Sequence, residues 1–140
     1  MIKVCISGGF DPFHEGHLDH MVEASKLGDW LIVSVNCDND MVRKKGKCNL
    51  PLWFRMNTVE LWMKEYGING EVIATIDTDG TQVKTIKMVK PDIFAKGGDR
   101  TLGNEDKSEA EACKEVGCKI VYGVNDPLNV KPNASSSMVL

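Results

Sequence analysis

Apolar residues recur along the chain in five short runs that are rich in valine and isoleucine. These runs cover residues 2–7, 31–35, 72–76, 93–95 and 120–124. They are mostly continuous and do not alternate with polar residues, a pattern typical of strands that are buried on both faces. The pattern therefore predicts five strands in the interior of a sheet.

Segments with the spacing of amphipathic helices lie between these runs. Their apolar side chains repeat at intervals of three and four residues, and glycine or proline follows each repeat. The repeats are Leu18, Met21 and Val22 before Gly28; Leu52, Met56, Val59, Met63 and Tyr66 before Gly67; Val83 and Ile86 before Pro91; and Ala110, Cys113 and Val116 before Gly117. The alternation over residues 1–140 predicts one α/β domain, a doubly wound five-stranded parallel sheet with helices on both faces.

Composition narrows the classes of function. The chain has 140 residues, of which 42% are hydrophobic and 26% charged, as in an ordinary globular protein and unlike a disordered, collagen-like or coiled-coil chain. Its net charge of −3 argues against a broad basic surface for nucleic acid. No apolar stretch approaches the ~20 residues of a membrane span. The five cysteines form no C-x-x-C pair, so we expect reduced thiols and a cytoplasmic protein.

Candidate chemistry follows the first predicted strand. Gly8 and Gly9 stand at its end, where glycine lets the backbone approach a ligand, and the next helix offers unpaired N–H groups. His14 and His17 are three residues apart, so both imidazoles project from the first helical turn toward the same point. Phosphate is the natural ligand, because paired imidazoles beside a helix N-terminus stabilise charge on phosphoryl oxygens.

Two other kinds of site fail on residue spacing. A dinucleotide-binding fold requires G-x-G-x-x-G, which the residues after Gly8 do not supply. A zinc hydrolase requires H-E-x-x-H; Glu15 follows His14, but position 18 is leucine. His20 is expected to be a polar residue on the exposed side of the helix.

Residues 8–17 have the sequence Gly-Gly-Phe-Asp-Pro-Phe-His-Glu-Gly-His. This stretch resembles the signature G-x-F-D-x-x-H-x-G-H of the cytidylyltransferase-like nucleotidyltransferases. The resemblance implies a Rossmann-like fold, Mg²⁺ as cofactor, and transfer of a nucleotidyl group from an NTP to a phosphate with release of pyrophosphate. It implies that both histidines contact the triphosphate, beside Gly8, Gly9, Phe10 and Asp11. For Asp11, contact with Mg²⁺ and a role in fixing the loop are both open.

The resemblance extends to later segments of the chain. Residues 45–47 and the helix after Pro51 look like the family's basic loop and the helix that follows it. Residues 91–99 resemble the corresponding stretch of the heptose-1-phosphate adenylyltransferases. The implied roles are catalysis by Lys45 together with the histidines; nucleotide binding by Lys96, Gly97, Asp99, Ser135, Ser136 and Ser137; and acceptor binding by Lys47 and Arg55.

Each of these assignments has a structural alternative. The lysines fit a solvated basic loop, and Arg55 fits packing at the surface. Residues 96–100 fit a tight turn, and the three serines fit a helix cap. A triphosphate site favours the functional assignments, because lysines that close over departing pyrophosphate and an arginine fork on a phosphate suit that chemistry.

Two departures from the family pattern bear on the nucleotide. Gly9 stands where the signature often has threonine. Residues 125–131 lack the arginine that glycerol-3-phosphate cytidylyltransferases carry before their last helix. Together with residues 91–99, this second departure favours ATP over CTP.

We therefore predict a nucleotidyltransferase that transfers AMP or CMP to a sugar or polyol phosphate, with no nucleic-acid or membrane partner. The resemblance also implies a homodimer, with Trp53, Phe54 and Trp62 as candidate apolar contacts. An aminoacyl-tRNA synthetase is disfavoured by the short length and acidic charge. The alternative is a non-catalytic nucleotide sensor on the same fold, against which the intact His14 and His17 argue.

Overall fold

Parallel strands form a single sheet in the part of the chain that the structure describes. A computed structural model describes residues 1–97 and 106–125. Its strands are β1 (Lys3–Gly8), β2 (Trp30–Val35), β3 (Gly70–Ala74), β4 (Ile93–Ala95) and β5 (Lys119–Val121), in the order β3-β2-β1-β4-β5. From the central β1 the chain steps outward to β3 and then returns to the other side. The strand order therefore switches between β1 and β4, which confirms the predicted doubly wound sheet.

Helices connect the strands and cover both faces of the sheet. They are α1 (Glu15–Ser25), α2 (Asp38–Lys45), α3 (Leu52–Glu65), α4 (Val83–Val89) and α5 (Lys107–Val116). Ile6 of β1 belongs to a core cluster with Met21 of α1 and Val59 of α3. Its neighbour Cys5 points the other way, to a cluster with Ile86 of α4 and Ala112 and Cys113 of α5. Helices therefore pack on both faces, as predicted.

The helix α2 departs from the sequence expectation. Residues 45–47 were predicted to form a basic loop, yet Lys45 lies in the last turn of α2. Only Asp40 and Met41 of this helix are buried, so it lacks the apolar stripe by which periodicity reveals a helix. Its ends stabilise it instead. Acidic residues in the first turn and basic residues in the last complement the helix dipole, and Gly46 ends the helix with a φ of 80°.

The last predicted strand is shorter than expected. Residues 120–124 were predicted to be extended, but pairing with β4 ends at Val121. Beyond it the backbone N–H of Val124 donates to the Lys96 carbonyl at 2.9 Å. Residues 122–124 thus leave the sheet at the same edge where β4 ends.

Two findings bear on the class of the protein. No helix within residues 1–97 and 106–125 is long and apolar enough to cross a membrane. All five cysteines are free thiols, in agreement with the absence of a disulfide framework in the sequence.

Candidate active site

The loop between β1 and α1 lies at the switch point and forms the floor of the site. Phe10 is buried in this loop with a φ of 54°. A Cβ on Gly8 would lie 3.0 Å from the Phe10 ring, and one on Gly9 would lie 2.6 Å from Met41. The sequence interpretation assigned these glycines to close approach of a ligand. The structure shows instead that the side chains of Phe10 and Met41 occupy the space that a side chain at position 8 or 9 would need.

His14 and His17 lie together at the N-terminus of α1. Nδ1 of His14 accepts a hydrogen bond from the backbone N–H of Gly16 at 3.1 Å, and Nδ1 of His17 accepts one from the backbone N–H of His14 at 3.1 Å. A backbone N–H can only donate, so each Nδ1 is unprotonated and each neutral ring carries its proton on Nε2. The rings stack with their centroids 3.7 Å apart. The site therefore holds two Nε2–H donors on adjacent rings.

The surroundings keep both of these rings neutral. Burial lowers the pKa of His14, and the ammonium of Lys45 lowers it further. Burial lowers the pKa of His17 to about 3, and repulsion from His14 adds to the effect. Protonation would also place a proton on Nδ1, where a backbone N–H now donates. At neutral pH the pair supplies hydrogen-bond donors, and positive charge comes from the lysines.

Aromatic rings enclose His17. The ring of Phe10 meets His17 edge-on with centroids 4.9 Å apart, and the Phe13 ring lies 5.6 Å away. Phe13 stacks in turn on Trp62 of α3, at 5.9 Å and an interplanar angle of 11°. This packing explains the burial of His17 and limits the rotamers that its side chain can adopt.

Arg55 lies beneath the loop and is fully buried. Its Nη1 donates to the carbonyls of Gly9 at 2.8 Å and Asn36 at 2.6 Å, and its Nε donates to the Leu50 carbonyl at 2.8 Å. Nη2 pairs with the Asp38 carboxylate at 2.6 Å. A buried guanidinium that is used in this way does not fit the predicted contact with an acceptor phosphate, nor packing at the surface. Instead it ties the ends of β1 and β2 to the starts of α2 and α3.

Asp11 anchors the same region from the other side. Its side chain is buried, and its two oxygens accept hydrogen bonds from the backbone N–H groups of Asn49 at 2.8 Å and Leu50 at 2.7 Å. Of the two roles left open by the sequence, the geometry shows the fixing of the loop. The anchored segment carries the exposed Lys47, and the exposed Lys45 precedes it at the end of α2.

The ends of β4 and β5 form the opposite side of the crevice. The ammonium of Lys96 pairs with Glu109 of α5 at 2.8 Å and lies 4.4 Å from the centroid of the Phe94 ring. Glu109 is buried and also accepts a hydrogen bond from the backbone N–H of Gln82 at 2.9 Å. Lys96, a predicted nucleotide contact, thus has its charge paired on the α4–α5 face, while Gly97 lies at the edge of the crevice.

The expectation that His20 lies on the exposed side of α1 was wrong. His20 is half-buried, and its Nδ1 is hydrogen-bonded to the carbonyl of Val124. A Cβ on Gly97 would lie 2.7 Å from Nδ1 of His20, so the ring packs directly against this glycine. His14, His17 and His20 form a row at three-residue intervals along α1. That spacing is visible in the sequence and is the signal by which His20 was detectable.

Apart from Lys47 and Arg55, whose positions are described above, the predicted residues fall into three groups. Those around the N-terminus of α1 come together: Gly8, Gly9, Phe10, Asp11, His14 and His17, with Lys45 close enough to affect His14. Lys96 and Gly97 lie across the crevice. Asp99, Ser135, Ser136 and Ser137 lie outside the described residues. Sequence analysis missed Asp38, the partner of Arg55, although polar residues directly after a buried strand are a recognised sign of a site.

Comparison with known proteins places this site in a family. Residues 5–140 match the family model described as cytidylyltransferase-like. The chain is 36% identical over 137 residues to the bifunctional protein HldE of Nitrosococcus oceani, which covers 98% of this chain and 27% of that protein. It is 39% identical over 98 residues to HldE of Proteus mirabilis, covering 69% of this chain and 19% of that protein. The chain thus spans about a quarter or less of the length of these relatives.

A solved structure supports the same assignment. The lipopolysaccharide core biosynthesis protein from Thermoplasma volcanium GSS1 has a TM-score of 0.70 and 31% identity, covering 90% of this chain and 98% of that one. With the family model matching residues 5–140, these comparisons show that the chain belongs to the cytidylyltransferase-like family.

Proposed function

We propose that the chain is a nucleotidyltransferase that transfers AMP or CMP from an NTP to the phosphate of a sugar or polyol phosphate. The observation that carries the proposal is the pair of Nε2–H donors on His14 and His17, held at a helix N-terminus after the central strand. The positive end of the α1 dipole adds positive potential there. Donors that are in place before the substrate arrives stabilise charge that develops on phosphoryl oxygens. Family membership supports the same activity.

The reaction we propose is an in-line displacement at the α-phosphorus. An oxygen of the acceptor phosphate bonds to the α-phosphorus as the bond from that phosphorus to the bridging oxygen breaks, and the bridging oxygen leaves with pyrophosphate. The second pKa of a phosphate monoester is ~6, so the attacking oxygen is ionised at neutral pH and needs no general base. His14 and His17 donate to triphosphate oxygens. Lys45 neutralises charge on the departing pyrophosphate, and Lys47 contacts the acceptor phosphate.

Mg²⁺ enters, in this proposal, as part of the NTP substrate. Within residues 1–97 and 106–125, no group of three or more His, Cys, Asp or Glu side chains is arranged to hold a metal ion. Asp11, the carboxylate of the signature, already accepts two backbone hydrogen bonds. The triphosphate oxygens are the ligands that Mg²⁺ prefers in such sites.

The proposed donor is ATP in preference to CTP. Support comes from the resemblance of residues 91–99 to the heptose-1-phosphate adenylyltransferases and from the missing arginine in residues 125–131. One unpaired hydrogen bond in a base pocket costs ~1–3 kcal/mol, which corresponds to roughly a tenfold to hundredfold preference. Initial rates with equal concentrations of ATP, CTP, GTP and UTP test the choice. A CTP rate tenfold above the ATP rate would identify CTP as the donor and would leave the proposed class of reaction unchanged.

Release of pyrophosphate tests the reaction itself. The purified chain is incubated with MgCl₂, each NTP and a panel of sugar and polyol phosphates, and pyrophosphate is measured by a coupled assay. We expect release that depends on both the NTP and one class of acceptor. Binding of NTP with no release for any acceptor in the panel would favour the nucleotide sensor and contradict the proposal.

A homodimer is also proposed, on the basis of an exposed apolar face of α3. Trp53 is 65% exposed, Leu61 68% and Tyr66 51%, with Phe54 and Trp62 beside them. Monomeric proteins rarely expose so many large apolar side chains on one element, and such surfaces are typical of protein interfaces. A second copy of the chain is the partner that the family resemblance implies.

A further inference from the structure

His20 has the opposite tautomer to the two histidines of the α1 N-terminus. The Val124 carbonyl can only accept a hydrogen bond, so Nδ1 of His20 carries a proton and donates it. Burial lowers the pKa of His20, which keeps the ring neutral. In a neutral imidazole that is protonated on Nδ1, Nε2 is an acceptor. Within the described residues, no donor is bonded to this Nε2.

The position of His20 along α1 suits contact with the base of a nucleotide and not with its phosphates. Six residues separate it from His14, which amounts to ~9 Å of helix. The His20 ring contacts Gly97 and the Val124 carbonyl, which follow β4 and β5. His20 therefore lies where a nucleotide whose phosphates sit at the α1 N-terminus would place its base.

The crevice at the carboxyl ends of the strands has two sides, one next to β2 and one next to β4 and β5. These sides differ in the space that they leave for a nucleotide base. On the β2 side, the loops that Arg55 and Asp11 anchor cover the strand ends. On the other side, the His20 ring packs against Gly97 after β4, and no described atom lies within 4 Å of a Cβ placed on Gly123 after β5. Ligands of open α/β sheets bind at such strand ends. The base is therefore expected on the side of β4 and β5, next to His20.

We infer that Nε2 of His20 accepts a hydrogen bond from the exocyclic amine of the nucleotide base, the 6-amino group of adenine or the 4-amino group of cytosine. The inference rests on the proposed nucleotidyltransferase function and adds a specificity-determining residue to it. Guanine and uracil present a carbonyl oxygen at the corresponding position, which would face the lone pair of Nε2. The hydrogen bond to Val124 enforces this choice, because it fixes the proton on Nδ1.

Nucleotide binding without an acceptor provides the test. Isothermal titration with Mg²⁺ compares ATP with purine riboside triphosphate, in which hydrogen replaces the amine, and CTP with 2-pyrimidinone riboside triphosphate. For the preferred nucleotide we expect the wild type to bind the amine-bearing form about tenfold more tightly. His20→Leu removes the acceptor and should bind both forms equally. His20→Gln, which supplies a donor for Val124 and an acceptor, should keep part of the preference.

A matched control and a second variant make the outcome decisive. Glu23→Gln changes a residue that pairs with Lys26 at the far end of α1 and should keep the wild-type ratio. If His20→Leu does not fold, Gly97→Ala displaces the ring through its new methyl group and should also reduce the preference. Equal binding of both forms by the wild type, or an unchanged ratio in the variants, overturns the role of His20 alone. A wild type that binds no NTP overturns the proposed function as well.

Discussion

At the scale of single residues, one hydrogen bond decides the chemistry of each histidine on α1. Backbone N–H groups donate to Nδ1 of His14 and His17 and make their Nε2 atoms donors. A backbone carbonyl accepts from Nδ1 of His20 and makes its Nε2 an acceptor. The three side chains are identical and evenly spaced, yet they offer a ligand opposite partners.

Removal of either donor should slow the reaction strongly. We expect His14→Ala and His17→Ala each to reduce kcat on the order of 10²–10³-fold, as the loss of a transition-state hydrogen bond does. Pyrophosphate release under saturating substrates gives kcat, and circular dichroism confirms that each variant is folded. Glu23→Gln, remote from the loop, serves as the control. A folded variant with nearly normal turnover would show that its histidine has no part in catalysis.

Burial of His17 should also make stability depend on pH. Its pKa is about 3 in the folded state and near 6.5 when exposed, so the unfolded chain binds a proton between these values and the folded chain does not. The free energy of unfolding therefore falls as the pH drops below 6.5, by up to ~1.4 kcal/mol per pH unit from this group. His14 and His20, whose pKa values are also lowered, act in the same direction.

Urea unfolding of the wild type and of His17→Gln between pH 7.5 and pH 5 measures this dependence. The range stays above the titration of ordinary carboxylates. The variant lacks the titrating group, so its stability should fall less steeply than that of the wild type over this range. Identical slopes would mean that His17 titrates alike in the folded and unfolded states.

At the scale of elements, Arg55 and Asp11 join segments that are far apart in the sequence. Arg55 of α3 bonds to the carbonyls after β1 and β2, and Asp11 of the first loop bonds to the backbone before α3. The lysine-bearing segment between α2 and α3 is thereby fixed beside the two histidines. Charge on the lysines reaches the site because these buried groups hold the backbone in place.

Arg55→Ala should therefore destabilise the fold by at least ~3 kcal/mol, since it leaves three carbonyls unpaired and a cavity. The partner carboxylate offers a matched comparison. The side chain of Asp38 is 50% exposed, and Asp38→Asn keeps an oxygen that can accept from Nη2, so this variant should cost less stability than Arg55→Ala. Urea titration of both variants measures the difference. If both variants lost the same small amount of unfolding free energy, the buried guanidinium of Arg55 would not be what holds these strands and helices together.

At the scale of the whole molecule, α3 has two faces with different roles. One carries the buried Arg55, Val59 and Met63, which serve the site and the core. The other exposes the apolar patch formed by Trp53, Phe54, Leu61, Trp62 and Tyr66. Stacking of Phe13 on Trp62 links the patch to the loop that encloses His17. Contacts made by this patch are thus a few side chains away from the proposed chemistry.

Sedimentation velocity at micromolar concentration should show a dimer. Leu61→Glu places a charge in the centre of the patch and should shift the protein to monomer, because burying an unpaired carboxylate is unfavourable. Met88 of α4 is 56% exposed on the opposite face of the sheet, so Met88→Glu should leave the dimer unchanged. A monomeric wild type, or equal dissociation of both variants, would contradict an interface on α3.

Periodicity determined the larger features of this protein. Continuous apolar runs and helical repeats were enough to predict the strands, their burial on both faces and the doubly wound sheet, because burial of apolar side chains sets these patterns locally. The signature in residues 8–17 indicated the end of the sheet at which we propose that phosphate binds. Periodicity did not predict the helix α2, since the stability of this helix comes from charges at its ends and not from an apolar stripe.

Only the tertiary structure decided what the polar side chains do. Val124 stands 104 residues from His20 and sets its tautomer, and Arg55 finds its carbonyl partners at Gly9 and Asn36 through the packing of α3 on the sheet. A polar side chain takes its role from the donors, acceptors and burial around it. These surroundings come from distant parts of the chain. Residue type and spacing therefore indicated where chemistry occurs, and the fold assigned each group its part in it.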